Sequence, residues 1–115
     1  AGLGWIGRCA LLVSRRFGCA LRISNVLTDA PLPTATPVDV SDCGACRACV
    51  TACPGHAPSG REWSPALKRA DFFDADACFA VTQDWKRERG LAKSICGICI
   101  NACPHTRRWL AGGAG

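Results

Sequence analysis

The residues of this chain that could do chemistry are its cysteines. Cys43-Gly44-Ala45-Cys46-Arg47-Ala48-Cys49-Val50-Thr51-Ala52-Cys53-Pro54 reads C-x2-C-x2-C-x3-C-P. That spacing lets one tight loop wrap three corners of an iron–sulfur cubane and carries the fourth cysteine on to a neighbouring cluster. The loop also turns backbone N–H groups toward the sulfides, where they stabilise negative charge. Gly44 eases the turn after the first ligand because it has no Cβ. Cys96-Gly97-Ile98-Cys99-Ile100-Asn101-Ala102-Cys103-Pro104 repeats the second half of the run. Aligned on Ala52-Cys53-Pro54 and Ala102-Cys103-Pro104, Cys46 matches Cys96, Cys49 matches Cys99, and Cys43 falls opposite Lys93. The second run therefore lacks its first ligand. Cys78, in the intervening segment, is the best candidate, with Cys9 and Cys19 next. The crossing rule then assigns Cys43, Cys46, Cys49 and Cys103 to one 4Fe-4S cluster, and Cys53, Cys78, Cys96 and Cys99 to a second.

Other uses of thiols fit less well. The 115 residues hold ten cysteines, a density that also suits disulfide frameworks or zinc. Frameworks scatter their cysteines, and thiols in so short a loop would strain a disulfide. Zinc sites pair separated C-x2-C units or combine them with histidines. Cys9 and Cys19 lie outside both runs and read as small buried apolar residues. His56 and His105 follow the two Cys-Pro pairs without a convergent acid or nucleophile, so both read as loop histidines. The formal charge is +5 with cysteines counted neutral. Each cluster with its thiolates adds about −2, so the loaded protein is nearly neutral. The pairs Arg15-Arg16, Lys68-Arg69, Lys86-Arg87 and Arg107-Arg108 read first as solvated surface and second as an RNA contact.

The elements that must position these cysteines follow from the rest of the chain. A chain this short buries a small core, so a bound cluster is expected to act as a staple. The glycines of Ala1-Gly2-Leu3-Gly4-Trp5-Ile6-Gly7-Arg8 imply close packing or sharp turns. Their spacing is not a nucleotide fingerprint, because no strand precedes them. Leu11–Ser14 and Cys19–Leu27 are apolar runs around Arg15-Arg16-Phe17-Gly18, a pattern that predicts a β-hairpin. Thr28–Val40, with Pro31, Pro33 and Pro37, predicts an extended linker. Residues 66–74 suggest a short helix, and Asp74 or Asp76 caps a second helix that runs through Cys78 to Arg89. Phe79 and Trp85 are its expected buried anchors, and Trp63 is the expected apolar cover for a cluster. Thr106–Leu110 forms a short tail element, and Ala111–Gly115 reads as disordered. The expected fold class is α+β, with residues 1–40 as a hairpin segment plus linker and 41–115 as a small cluster module. No apolar run reaches the ~18 residues of a membrane span. The chain starts at Ala1 and has no methionine, so a processed product or a piece of a longer chain is expected.

Three stretches together carry a resemblance: Ala1–Arg8, then Leu27-Thr28-Asp29 with Pro31-Leu32-Pro33, then the two cysteine runs. Across nearly its whole length the chain resembles epoxyqueuosine reductase and its double-cluster relatives, and more distantly reductive dehalogenases. The resemblance implies that residues 1–40 are the end of a cobalamin-binding, nitroreductase-like domain. Residues 41–115 are then a ferredoxin-like module with two 4Fe-4S clusters. It puts the family's lone cysteine on Cys78. It also implies cobalamin contacts at Gly2, Gly4, Trp5, Gly7 and Arg8, although the family usually has lysine where Arg8 stands. In such enzymes the clusters reduce cobalamin, which reduces an epoxide on a modified tRNA nucleoside. Most of the cobalamin domain is absent, so this chain alone is not expected to catalyse that reaction. The implied setting is cytoplasmic and monomeric, with no membrane, a redox donor protein, a cobalamin domain in the same or another chain, and tRNA as a further partner. The alternative is a free-standing ferredoxin-like electron carrier.

Overall fold

The computed structural model describes residues 2–112. Residues 1 and 113–115 lie outside that range, and with them most of the stretch read as disordered; Ala111 and Gly112 form a turn. The elements are β1 (Trp5–Ile6), β2 (Leu12–Val13), α1 (Ala48–Ala52), α2 (Arg69–Phe72), α3 (Ala75–Arg89), α4 (Ile98–Ala102) and α5 (Pro104–Leu110). Mixed helix with a small antiparallel sheet makes the class α+β.

The hairpin sits earlier in the chain than its apolar pattern predicts. β1 pairs antiparallel with β2, Trp5 opposite Val13 and Ile6 opposite Leu12. The expected turn at 15–18 carries a single bridge between Ser14 and Gly18. The run after Cys19 forms no strand, because no neighbouring backbone pairs with it. Its Ile23, Val26 and Leu27 stand in solvent. The proline-rich stretch is extended as expected, and residues 22–40 are exposed throughout. The radius of gyration of 15.5 Å exceeds the ~13 Å of a compact domain of this size, as so long an exposed strap requires.

The helices follow their local signals. Asp74 caps α3 by accepting from Ala77 N at 2.9 Å. Lys86, Arg87 and Arg89 occupy its last turn, where positive charge suits the helix dipole, and Gly90 closes it at φ 62°. Phe79 is not an anchor: it is 60% exposed, on the solvent side of α3. Trp85 is half-buried under the guanidinium of Arg89, 4.2 Å from its ring centroid. Phe72 of α2 is buried instead.

α1 and α4 occupy equivalent positions in the two cysteine runs and pack against each other, with α5 on α4. The buried core is Trp5, Cys9, Val13 and Cys19, against which Leu11, Cys43, Cys49, Cys99, Ile100 and Cys103 pack. The hairpin therefore forms one wall of the region where the cysteine runs meet. No helix among the described residues is long and apolar enough to cross a membrane.

Candidate metal centre

Each cysteine run turns at a glycine and then becomes a short helix. Gly44 follows Cys43 at φ 53°, and Gly97 follows Cys96 at φ 76°. Both are left-handed conformations that an L side chain rarely adopts. The last cysteine of each run leaves its helix in extended backbone, Cys53 at ψ 117° and Cys103 at ψ 123°. The backbone changes heading at each of these cysteines.

The structure brings the first run and the end of the second together. Cys43, Cys46, Cys49 and Cys103 line one cavity of about 140 Å³, with Arg8, Cys9, Val13, Pro104 and His105. No carboxylate lines it. A set of thiols in a pocket walled by apolar groups is the donor chemistry of an iron–sulfur cluster rather than of a hard cation. Cys53 lies outside this cavity and receives the backbone N–H of Ala57 on its sulfur at 3.4 Å.

The remaining cysteines answer to one another. Burial, and then the negative charge of Cys53 and Cys96, push the Cys78 thiol up. Burial pushes Cys99 up to about 11, with further contributions from Cys19, Cys96, Cys49 and Cys53. Cys53 and Cys96 are thus close enough to Cys78 for their charge to act on it, while Cys99 feels cysteines of both runs. α3, which carries Cys78, packs closely on the loop after Cys53. A Cβ on Gly55 would stand 2.9 Å from Ala77 O and 2.9 Å from Val81 Cγ2.

No three His, Cys, Asp or Glu side chains among the described residues converge tightly enough for a single metal ion. Thiolates on one zinc ion stand roughly 3.8 Å apart given its bond length. A cubane holds its thiolates further apart than that.

Cys9 and Cys19 lie outside the two runs yet end beside them, both buried. Hydrogen bonds to Cys19 and Cys49, together with burial, hold Cys9 protonated. The bond from Cys9 in turn draws Cys49 down to about 7. Cys19 N donates to Thr106 Oγ1 at 3.1 Å, and its thiol lies 3.6 Å from the same oxygen.

Arg8 and Trp5, expected as cobalamin contacts, both reach the first cysteine run. Arg8 is buried; its Nε donates to Gly60 O at 3.0 Å, and its Nη1 donates to Gly44 O at 2.6 Å and Cys46 O at 2.9 Å. Its Nη2 pairs with Glu62 at 3.3 Å. Trp5 Nε1 lies 3.4 Å from Cys43 Sγ. Gly7 sits between hairpin and loop, where a Cβ would come within 3.6 Å of Cys43 Sγ. Gly2, Gly4 and Trp5 line a second, larger cavity of about 830 Å³. Trp63 is half-buried and does not line the cysteine cavity. Trp5, not Trp63, is the indole that meets a cysteine. His105 lines the cysteine cavity, its ring edge-on to Trp5 at 5.1 Å and its Nδ1 2.8 Å from Arg108. Nothing in the sequence marks the reach of Arg8 or Trp5, since their partners lie 36 to 52 residues away.

The comparisons with known proteins agree with this chemistry. The epoxyqueuosine reductase of Synechococcus sp. is 35% identical over 96% of this chain and 34% of its own length. That of Aliivibrio fischeri is 30% identical over 93% of the chain and 29% of its own. That of Escherichia coli is 31% identical over 93% and 28%. The chain thus spans about a third of the length of these curated relatives. No solved structure matches it. Residues 42–106, both cysteine runs included, match the family described as 4Fe-4S double cluster binding domain, and the chain belongs to that family.

Proposed function

We propose that this chain is an electron-transfer module that carries two 4Fe-4S clusters and forms the C-terminal part of an epoxyqueuosine reductase-like, cobalamin-dependent oxidoreductase. The observation that carries the reading is the cavity lined by Cys43, Cys46, Cys49 and Cys103, which joins three cysteines of one run to the last cysteine of the other. In this reading those thiolates hold the first cluster, and Cys53, Cys78, Cys96 and Cys99 hold the second. Residues 41–115 are then the cluster module, and 1–40 are the end of the preceding domain plus its linker.

When bound, each cluster supplies one-electron transfer at low potential. The chain's own residues do the rest. The cysteines fix the two sites side by side through the packing of α1 on α4. Trp5, Cys9 and Val13 keep water from the first site. Arg8 ties the loop carbonyls of Gly44 and Cys46 to the hairpin. Gly2, Gly4 and Trp5 border the larger cavity, and we place the approach of cobalamin on that wall. Gly7 and Arg8, the other candidate contacts, serve through the cysteine loop they touch. A redox donor protein and a cobalamin domain in the same or another chain are the partners of this role, with tRNA as a further partner, in the cytoplasm.

Iron and acid-labile sulfide analysis after anaerobic reconstitution tests the reading, together with EPR of the reduced protein. About eight irons and eight sulfides per chain are expected. A plateau near half that value, or zinc in place of iron, would overturn it.

A further inference from the structure

Trp5 is 2% exposed and is the largest residue of the core. An indole nitrogen can donate a hydrogen bond but cannot accept one. Its partner here is a sulfur, Cys43 Sγ, at 3.4 Å. No buried side-chain nitrogen or oxygen among the described residues is left without a partner, so this contact is what satisfies the indole. The ring is held on several sides. Val13 lies across from it in the sheet register, His105 meets it edge-on with planes at 75°, and the Arg15 guanidinium lies 6.0 Å from its centroid. The indole N–H is therefore held on the Cys43 sulfur.

We propose that Trp5 is a positioning residue that raises the reduction potential of the Cys43 site by donating its indole N–H to the ligand sulfur. The proposal rests on the reading of Cys43 as a cluster ligand. A donor aimed at a thiolate stabilises whichever redox state places more negative charge on that sulfur. Reduction brings in one electron from an outside donor and breaks no bond, and the indole proton stays on its nitrogen. The reduced state gains more from the donor than the oxidised state, so the site becomes easier to reduce. Burial strengthens the effect, since little water screens it. The Cys53 site receives its N–H from a backbone amide, that of Ala57, which no side-chain substitution removes. The two sites thus separate experimentally: a change at Trp5 touches one potential and leaves the other.

The test is a redox titration of the reconstituted protein followed by EPR, on the wild type and Trp5→Phe, with iron counted in each. The expected result is full iron and one site shifted about tenfold in its reduction equilibrium, which is about 59 mV lower for a one-electron step. The shifted signal should be the one that Cys103→Ala perturbs. Full iron with both potentials unmoved overturns the proposal and leaves the cluster reading standing. A wild type that binds no iron overturns the cluster reading itself. Should Trp5→Phe lose iron, a benzothienylalanine at position 5 keeps the ring shape and removes only the donor; it too must lower one potential. A last measurement needs no variant. In wild-type protein labelled with nitrogen-15 at the indoles, the reduced EPR signal should carry an indole nitrogen coupling, and its absence overturns the proposal.

Discussion

Arg8 anchors the first cysteine loop through bonds to three backbone carbonyls, those of Gly60, Gly44 and Cys46. Hydrogen bonds to a charged donor contribute about 1.5–3 kcal/mol each, and carbonyls left buried without a partner cost more than the mean suggests. Arg8→Ala is expected to destabilise the loaded protein by about 2–4 kcal/mol, read from thermal loss of the cluster's visible absorption. Arg8→Lys should recover only part of that, because an ammonium cannot span diverging acceptors as a planar fork does. The crossed cysteines make a sharper case. Losing one thiolate can leave a three-iron cluster with its own EPR signal in the oxidised state. Cys53→Ala and Cys78→Ala should give the same altered signal, and Cys103→Ala a different one. If Cys78→Ala keeps both clusters intact, the missing ligand is elsewhere, and Cys9 or Cys19 is next. The cysteine runs were legible because consecutive ligands leave a local pattern. The roles of Arg8 and Trp5 were not, because each acts on a loop far along the chain and leaves no spacing to read.

At the scale of elements, legibility divided by length. α3 was readable from its ends, since an aspartate cap and a glycine stop are local chemistry. β1 and β2 are two residues each, too short for any alternation to register. The longer apolar run after Cys19 imitated a strand, yet strand formation needs a partner that the sequence does not announce. Phe79 departs from its expected place as an anchor for a similar reason. A helix that packs through its small residues, Ala77 and Val81 against Gly55, leaves its large aromatic outside. That contact predicts a clear contrast. Gly55→Ala should push α3 off the loop after Cys53 and so draw Cys78 away from the second site, with loss of about half the iron. Gly90→Ala is strained at φ 62° but meets nothing within 4 Å. It should cost about 1 kcal/mol of stability and no iron. Equal iron in the two variants would refute the role given to Gly55.

At the scale of the molecule, the buried apolar residues among those described are few: Trp5, Cys9, Val13, Cys19, Ala57, Phe72 and Ala102. Four of these form the core on which the cysteines proposed as ligands pack. Binding energy at such sites is also folding energy. After chelation and oxidation the protein is expected to lose most of its structure from Ser41 onward, seen as loss of helical circular dichroism. A stable, cooperative transition in the apo-protein would contradict this. The α+β class was legible from alternating signals of both kinds. The way the hairpin closes over the cysteines was not, because long-range packing of a glycine-rich segment has no periodic signature.

The exposed strap of residues 22–40 has a consequence for how the molecule holds together. A protease acting anywhere along it would divide the polypeptide in two, yet the bonds from Arg8 to Gly44 and Cys46, from Trp5 to Cys43 and from Cys19 to Thr106 all span the cut. The nicked product would migrate as one species under native conditions and as two once denatured. Covalent continuity and cohesion are decoupled here: the strap sets how far the hairpin can stray, while the cysteine loops decide where it rests.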